Sequence, residues 1–227
     1  MSLGPLRPAA FFFFLVILSV FGQTVPRQES EREILARTEQ TLAALDSLQA
    51  DFEQTYFSAT VSTPLKDKGR LYYQKPGKMR WEYRGKSRQI IVLNDGILET
   101  FDPEDNQLLR RLLPADEANH AIFGLLTGQG RLTETYRVEN SSFPGAEGSV
   151  HQLKLTPLEE GETSRILVEI DARTRLLRRV ILFDWADNKN EFTFSRLRTN
   201  TRPAAGLFSI VVPEDCEIID DTVPRKR

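Results

Sequence analysis

Cysteine is nearly absent: Cys216 stands alone among 227 residues. That excludes an intrachain disulfide and any multi-cysteine zinc site. Histidine is scarce as well, limited to His120 and His151, so metal ligation and triad chemistry have little to draw on. Charge of one sign is missing too. Lys+Arg is 30 and Asp+Glu is 32, a formal net charge of −2, where a general nucleic-acid binder carries a basic excess. No GxSxG, HExxH, CxxC, phosphate-binding loop or dinucleotide fingerprint occurs. His120, on the polar side of a predicted helix, and His151, on a predicted strand, read as surface histidines, and Cys216 as a small apolar filler. Glu159, Glu160 and Glu162 surround Gly161 in a charged hairpin loop rather than pairing across a cleft. The doublets Arg110-Arg111 and Arg178-Arg179 fall on strands, where alternation sends their members to opposite faces. These absences predict a chain that is not an enzyme, needs no cofactor or metal, and binds no nucleic acid.

With 40% hydrophobic and 27% charged residues, the composition is that of one soluble globular domain. There is one long apolar run, Ala9 to Phe21, which follows Arg7 and ends at Gly22. A positive start, a short apolar stretch and a small-residue exit read as a secretory signal peptide, residues 1–22. The run is too short to span a bilayer, which takes about 20 apolar residues. No cysteine lies near its end, so acylation at the cleavage site is not expected. The mature chain, residues 23–227, is expected to be a single domain with 29 basic and 32 acidic side chains. A secreted chain without disulfides fits a bacterial periplasm. Its mild overall acidity gives no reason to expect attachment to anionic lipid.

The first predicted element of that domain is a helix over 30–48. Ser30-Glu31-Arg32-Glu33 forms a capping box, and Ile34, Thr38, Thr41, Leu45 and Leu48 recur at 4-3-4-3 spacing. The period then changes to two. Strands are expected near 50–60, 68–74, 79–84, 88–93, 97–101 and 107–113, and near 135–142, 149–156, 165–171, 176–185, 190–199 and 208–212. Short turns such as Pro76-Gly77 and Asn94-Asp95-Gly96 join only antiparallel neighbours. Between the two series, 114–130 carries Ala118, Ala121, Ile122, Leu125 and Leu126, a narrow helical stripe loosened by Gly124, Gly128 and Gly130. Spacing alone leaves it a fixed plug or a movable lid.

Aromatic residues concentrate on strand faces. Met79, Trp81 and Tyr83 share one face; Arg80, Glu82 and Arg84 take the other. Ile90 and Val92 can extend the apolar face onto the next strand, while Ile91 and Leu93 make that strand apolar on both sides. Ile181, Phe183 and Trp185 alternate further on, as do Phe192 and Phe194. A sheet with such a face needs a cover. Either the two helices fill the interior, or an apolar concavity remains for a greasy ligand.

Several ordered segments together resemble a known family. They are Phe52-Glu53-Gln54-Thr55, Gly69-Arg70-Leu71-Tyr72-Tyr73, Lys75-Pro76-Gly77-Lys78-Met79-Arg80-Trp81-Glu82-Tyr83, Ile91-Val92-Leu93-Asn94-Asp95-Gly96 and Phe101-Asp102-Pro103. Asn188 to Phe194 and Leu207 to Pro213 add to the likeness. The set resembles the periplasmic outer-membrane lipoprotein carriers, the LolA family, over roughly Ser30 to Asp220.

The resemblance implies a mainly β fold: an unclosed, strongly curved antiparallel barrel of about eleven strands around a hydrophobic cavity, with an N-terminal helix and a helical lid. It implies a periplasmic chaperone that carries acylated lipoproteins from an inner-membrane ABC-type release complex to the outer membrane, where a lipoprotein receptor is the usual acceptor. A monomer is the family expectation. An alternative is a lipid- or glycolipid-binding protein of the same half-barrel shape with another cargo. Under the carrier reading Met79, Trp81, Tyr83, Ile90, Val92, Ile122, Leu125 and Leu126 line the lipid cavity. Family members have a basic residue before the hairpin proline that helps hold the lid shut. Here that residue is Lys75, which lacks the planar fork of arginine, so the resemblance implies a weaker latch.

Overall fold

In a computed structural model, which describes residues 29–113, 121–128 and 131–222, one long sheet curls around a helical cover. The segment read as a signal peptide lies outside the described residues, as does His120. The first element is α1 (Glu31–Ala43), and its capping box forms as the sequence predicts. The Ser30 hydroxyl accepts from the Glu33 N–H, and the Glu33 carboxylate accepts from the Ser30 N–H at 2.8 Å. Ile34, Leu35, Thr38 and Leu42 make its buried stripe.

The helix stops earlier than the periodicity predicts. Leu45 and Leu48 keep helical spacing, yet Ser47 already pairs with Gln74 in the sheet, and the Asp46 N–H donates to Asn200 Oδ1 at 3.0 Å. Sheet pairing gives these backbone groups partners that another helical turn would forfeit. Leu48 reaches the core from a strand instead, at 3% exposure.

Eleven strands follow in antiparallel succession: β1 (Ser47–Phe57), β2 (Leu65–Gln74), β3 (Lys78–Tyr83), β4 (Ile90–Asn94), β5 (Ile97–Asp102), β6 (Gln107–Leu112), β7 (Tyr136–Asn140), β8 (Val150–Pro157), β9 (Thr163–Asp171), β10 (Leu177–Asp184) and β11 (Lys189–Thr199). A twelfth, β12 (Glu217–Asp220), pairs in parallel with β6. The order across the sheet is β12-β6-β5-β4-β3-β2-β1-β11-β10-β9-β8-β7. β7 and β12 do not pair with each other, so the barrel stays unclosed. Among the described residues, two short helices, α2 (Ala121–Thr127) and α3 (Leu132–Thr135), lie between β6 and β7 in the chain.

The strand expected at 208–212 does not form. That stretch crosses the outer face of β3 and β4 as a strap, held where Arg80 donates to the carbonyls of Leu207 (3.1 Å) and Ser209 (3.2 Å) and Asn94 donates to that of Phe208 (3.4 Å). Within the strap Phe208 is buried, while Val211 is 92% exposed. Alternation alone does not separate such a strap from a strand, because both are extended.

Candidate functional site

The register of β1, β2, β3 and β11 builds an aromatic floor on the inner face of the sheet. Phe52 lies opposite Phe194 on one side and Gly69 on the other, and Gly69 faces Tyr83. Glycine is required at 69: a Cβ there would stand 2.0 Å from the Glu82 carbonyl oxygen and 2.7 Å from the Phe52 ring. Into that opening Phe52 packs edge-on against Trp81 (4.8 Å between centroids) and Tyr83 (5.1 Å). Trp81 meets Phe192 edge-on at 5.4 Å, and Phe192 stacks parallel to Phe194 at 6.4 Å. Such offset and edge-to-face pairs suit the ring quadrupoles and lock the rings in place.

Polar groups on this floor are neutral or internally satisfied. The Trp81 indole N–H donates to Met79 Sδ at 3.1 Å, so it needs no water. Burial, with the Asp67 carboxylate adding to it, pushes the Tyr83 phenol up to about 12. Burial raises the Tyr73 phenol too. The floor therefore presents a surface that remains uncharged at neutral pH.

The cover is helical. Leu125 and Leu126 of α2 are fully buried, and Ile122 and Phe123 pack half-buried against the same core. The gap left between α2, α1 and the floor, bordered by Leu42, Ala50, Leu126 and Phe194, is too narrow for water. The interior is thus filled by the protein's own side chains. α2 ends at Gly128, whose φ of +67° belongs to the left-handed region. A Cβ there would meet the Glu39 carbonyl oxygen at 2.6 Å and the Ala43 nitrogen at 2.7 Å, so α2 docks tightly against α1. Glu39 of α1 also caps α3: its carboxylate accepts from the Leu132 N–H and from the Thr133 hydroxyl at 3.0 Å. One helix thereby anchors both ends of the α2–α3 connection.

Of the residues singled out in the sequence, Met79, Trp81 and Tyr83 share the floor, and Ile122, Leu125 and Leu126 meet it from α2. Ile90 and Val92 do not join them. The β3–β4 register sets Arg80 opposite Val92 and Glu82 opposite Ile90, which places both aliphatics on the outer face. Val92 is fully buried there, on the face that the 207–209 strap crosses. The inward members of β4 are Ile91 and Leu93, opposite Trp81 and Met79. A strand apolar on both sides gives alternation nothing to choose by, and a shift of one residue inverts every side chain. Ile181 and Phe183 likewise face outward, while Val180 and Leu182 of the same strand belong to the inner core. Phe52, a further floor residue, lies within one of the family-like segments, but its role follows only from its pairing with Gly69.

Lys75 occupies the β2–β3 turn. Its Nζ donates to the Ala43 carbonyl at 2.9 Å, and its N–H donates to the Asp46 carbonyl at 2.9 Å. Its described bonds therefore hold the C-terminal end of α1, where a cation also complements the helix dipole. His151 is half-buried on β8; burial, with the nearby Arg175 cation, lowers its pKa, against a weaker opposite pull from Glu29. Among the described residues no group of three or more His, Cys, Asp or Glu side chains could hold a metal ion.

The model of the outer membrane lipoprotein carrier protein LolA family matches residues 43–211. The chain belongs to the LolA family. An outer-membrane lipoprotein carrier protein of Methylococcus capsulatus is 27% identical over 215 residues, covering 92% of this chain and 98% of the relative. One of Nitrosomonas europaea is 25% identical over 209 residues, with 92% and 98% covered. Among solved structures, an uncharacterized conserved protein from Thermus thermophilus superposes with a TM-score of 0.55 at 15% identity, covering 85% of this chain and 99% of its own. That likeness shows the unclosed, curved LolA-type sheet as a shared fold. The family match begins at Ala43, the last residue of α1, so the rest of that helix stands outside it, although α1 anchors the cover described above.

Proposed function

We propose that this LolA-family chain is a periplasmic carrier that shields the acyl chains of lipoproteins between the aromatic floor and α2. The carrier names of its relatives support the cargo class. The observation that carries the reading is the cover itself: a seven-residue helix, α2, fills an apolar floor with two fully buried leucines. A helix that short has little stability of its own and persists through its contacts, so it can be displaced as a unit.

The energetics suit loading and release. Each buried CH₂ contributes about 0.8 kcal/mol, so one acyl chain of about 15 carbons gains on the order of 10 kcal/mol from an apolar trough. Opening α2 returns Leu125 and Leu126 to solvent at about 1.5–3 kcal/mol each. The cover therefore competes with the ligand and keeps its binding reversible. In this reading Met79, Trp81, Tyr83, Ile91 and Leu93 line the trough, and Ile122, Leu125 and Leu126 line the cover. Lys75 serves as an indirect latch, by fixing the end of α1 against which α2 docks. Residues 1–22 serve as the leader, an inner-membrane release complex as the donor, and an outer-membrane receptor as the acceptor.

The test incubates the protein with membranes carrying a labelled lipoprotein and the release machinery. Label is expected to become soluble in complex with the chain. Label that stays in the membrane refutes the carrier reading. Native mass spectrometry of the protein taken from its own periplasm separates lipoprotein cargo from a glycolipid or free fatty acid.

A further inference from the structure

One end of the sheet has a chemistry that acyl binding in the interior does not use. The β1–β2 and β3–β4 turns lie side by side there, since Tyr56 pairs with Leu65 and Glu82 with Ile90. Residues 58–64 of the first turn contain no charged side chain, and Val61 and Leu65 are 57% and 65% exposed. Five cations surround this apolar tip: Lys66, Lys68, Arg84, Lys86 and Arg88, all exposed.

The carboxylates between the two turns are engaged, while Glu53, opposite Lys68, is exposed, and Glu104 and Asp105 of the adjoining β5–β6 turn, tied in where Gln89 donates to Asp102 at 2.7 Å, bound the rim on that side. Asp67 accepts from the Ser87 N–H (3.0 Å), the Ser87 hydroxyl (2.8 Å) and the Lys68 N–H (2.7 Å), which ties the two turns together. Glu82 is shared between Arg80 and Arg84. A third turn adjoins on the other side, where the Ala59 N–H donates to Asn188 Oδ1 at 2.9 Å. It presents Trp185, 69% exposed, its indole N–H fixed on the Gly161 carbonyl at 2.6 Å. Beyond it Glu159, Glu160 and Glu162 mark where the basic and apolar surface ends.

We propose that this rim is a membrane-docking surface that seats the chain on anionic phospholipid headgroups, with Val61, Leu65 and Trp185 entering the interface. The charge complements such a surface, and each cation near it contributes favourably at moderate salt. The apolar side chains stand on protruding turns rather than in a groove. A fluid lipid interface conforms to convex tips of this kind, and an exposed tryptophan suits the headgroup level. The chain's formal net charge of −2 conceals this local grouping of cations. The proposal concerns the empty carrier and stands apart from what the interior holds.

The test uses the processed full chain, without lipoprotein, and vesicles of phosphatidylglycerol and phosphatidylethanolamine beside vesicles of phosphatidylcholine. Co-sedimentation is expected with the anionic vesicles, weakening as salt is raised. The double variant Lys86→Gln, Arg88→Gln is expected to lose roughly 30-fold in affinity, from about 1 kcal/mol per cation. The double variant Val61→Ser, Leu65→Ser is expected to bind more weakly too, with unchanged thermal melting. Trp185 fluorescence is expected to be quenched by lipids brominated in the acyl chain. Absence of binding to anionic vesicles, equal binding to phosphatidylcholine, or binding unaltered in both double variants overturns the proposal.

Discussion

Truncating the cover is expected to tighten binding of a small apolar ligand, which is the opposite of what loss of a lining residue usually does. Leu125 is fully buried and sits on α2, not on the sheet. Leu125→Ala removes a buried side chain at a cost of about 2–5 kcal/mol. Because α2 is a short helix that is not part of the sheet, that loss falls on closing the cover rather than on folding the sheet. A ligand that binds only when α2 is displaced gains affinity as the closed state weakens. If about 2 kcal/mol of the loss reaches this equilibrium, a long-chain fluorescent fatty acid binds roughly 30-fold more tightly. Hydrogen exchange supplies the second readout: α2 amides are expected to exchange faster in the variant, with β1, β2 and β11 unchanged. Unaltered fatty-acid affinity together with unaltered α2 exchange would refute the reasoning. So would a parallel loss of protection across the whole sheet, which would make α2 part of the global core.

Gly69→Ala is expected to lower stability by about 1–3 kcal/mol, because its Cβ collides with backbone at Glu82 and with the Phe52 ring, and thermal melting measures it. Lys75→Met removes the bond to the Ala43 carbonyl; a loss of about 0.5–1.5 kcal/mol is expected, with faster amide exchange confined to the last turn of α1 and to α2. At Glu82, burial raises the pKa but the bonds to Arg84 and Arg80 outweigh it, leaving the carboxyl below its ordinary 4.5. Its contribution is therefore present above pH 4.5 and is lost as pH falls through the lower folded value. Glu82→Gln is expected to flatten the acid limb of a stability–pH curve, and an unchanged limb would contradict the assignment.

The strands were legible because their side chains alternate and their turns carry strong signals. The antiparallel pairings β2–β3, β4–β5 and β5–β6 follow from the turns Pro76-Gly77, Asn94-Asp95-Gly96 and Asp102-Pro103. What alternation could not supply was a choice of face where both faces are apolar. That is why Ile91 and Leu93, rather than Ile90 and Val92, line the interior. The same lack of a second signal misplaced two segment ends. Leu45 and Leu48 satisfy the helical period but are used by a turn and a strand, and the alternation at 208–212 belongs to a strap. The aromatic floor was readable in part: Met79, Trp81 and Tyr83 declared a common face, while Phe52 needed its partner glycine. The rim cations were visible singly, but net charge averaged them away before the turns brought them together.

A barrel that never closes has two strand borders, and each is a row of backbone donors and acceptors open to another chain. On one border the fold adds β12, four residues long, laid parallel to β6 and bearing Glu217 and Asp220. It is too short and too acidic to serve as a template for a neighbouring copy. On the other border α1 and α3 pack against β7. Both borders are therefore guarded without being joined. An unjoined sheet can widen at either border, as the proposed carriage of acyl chains requires, and short, acidic or covered borders disfavour pairing between copies.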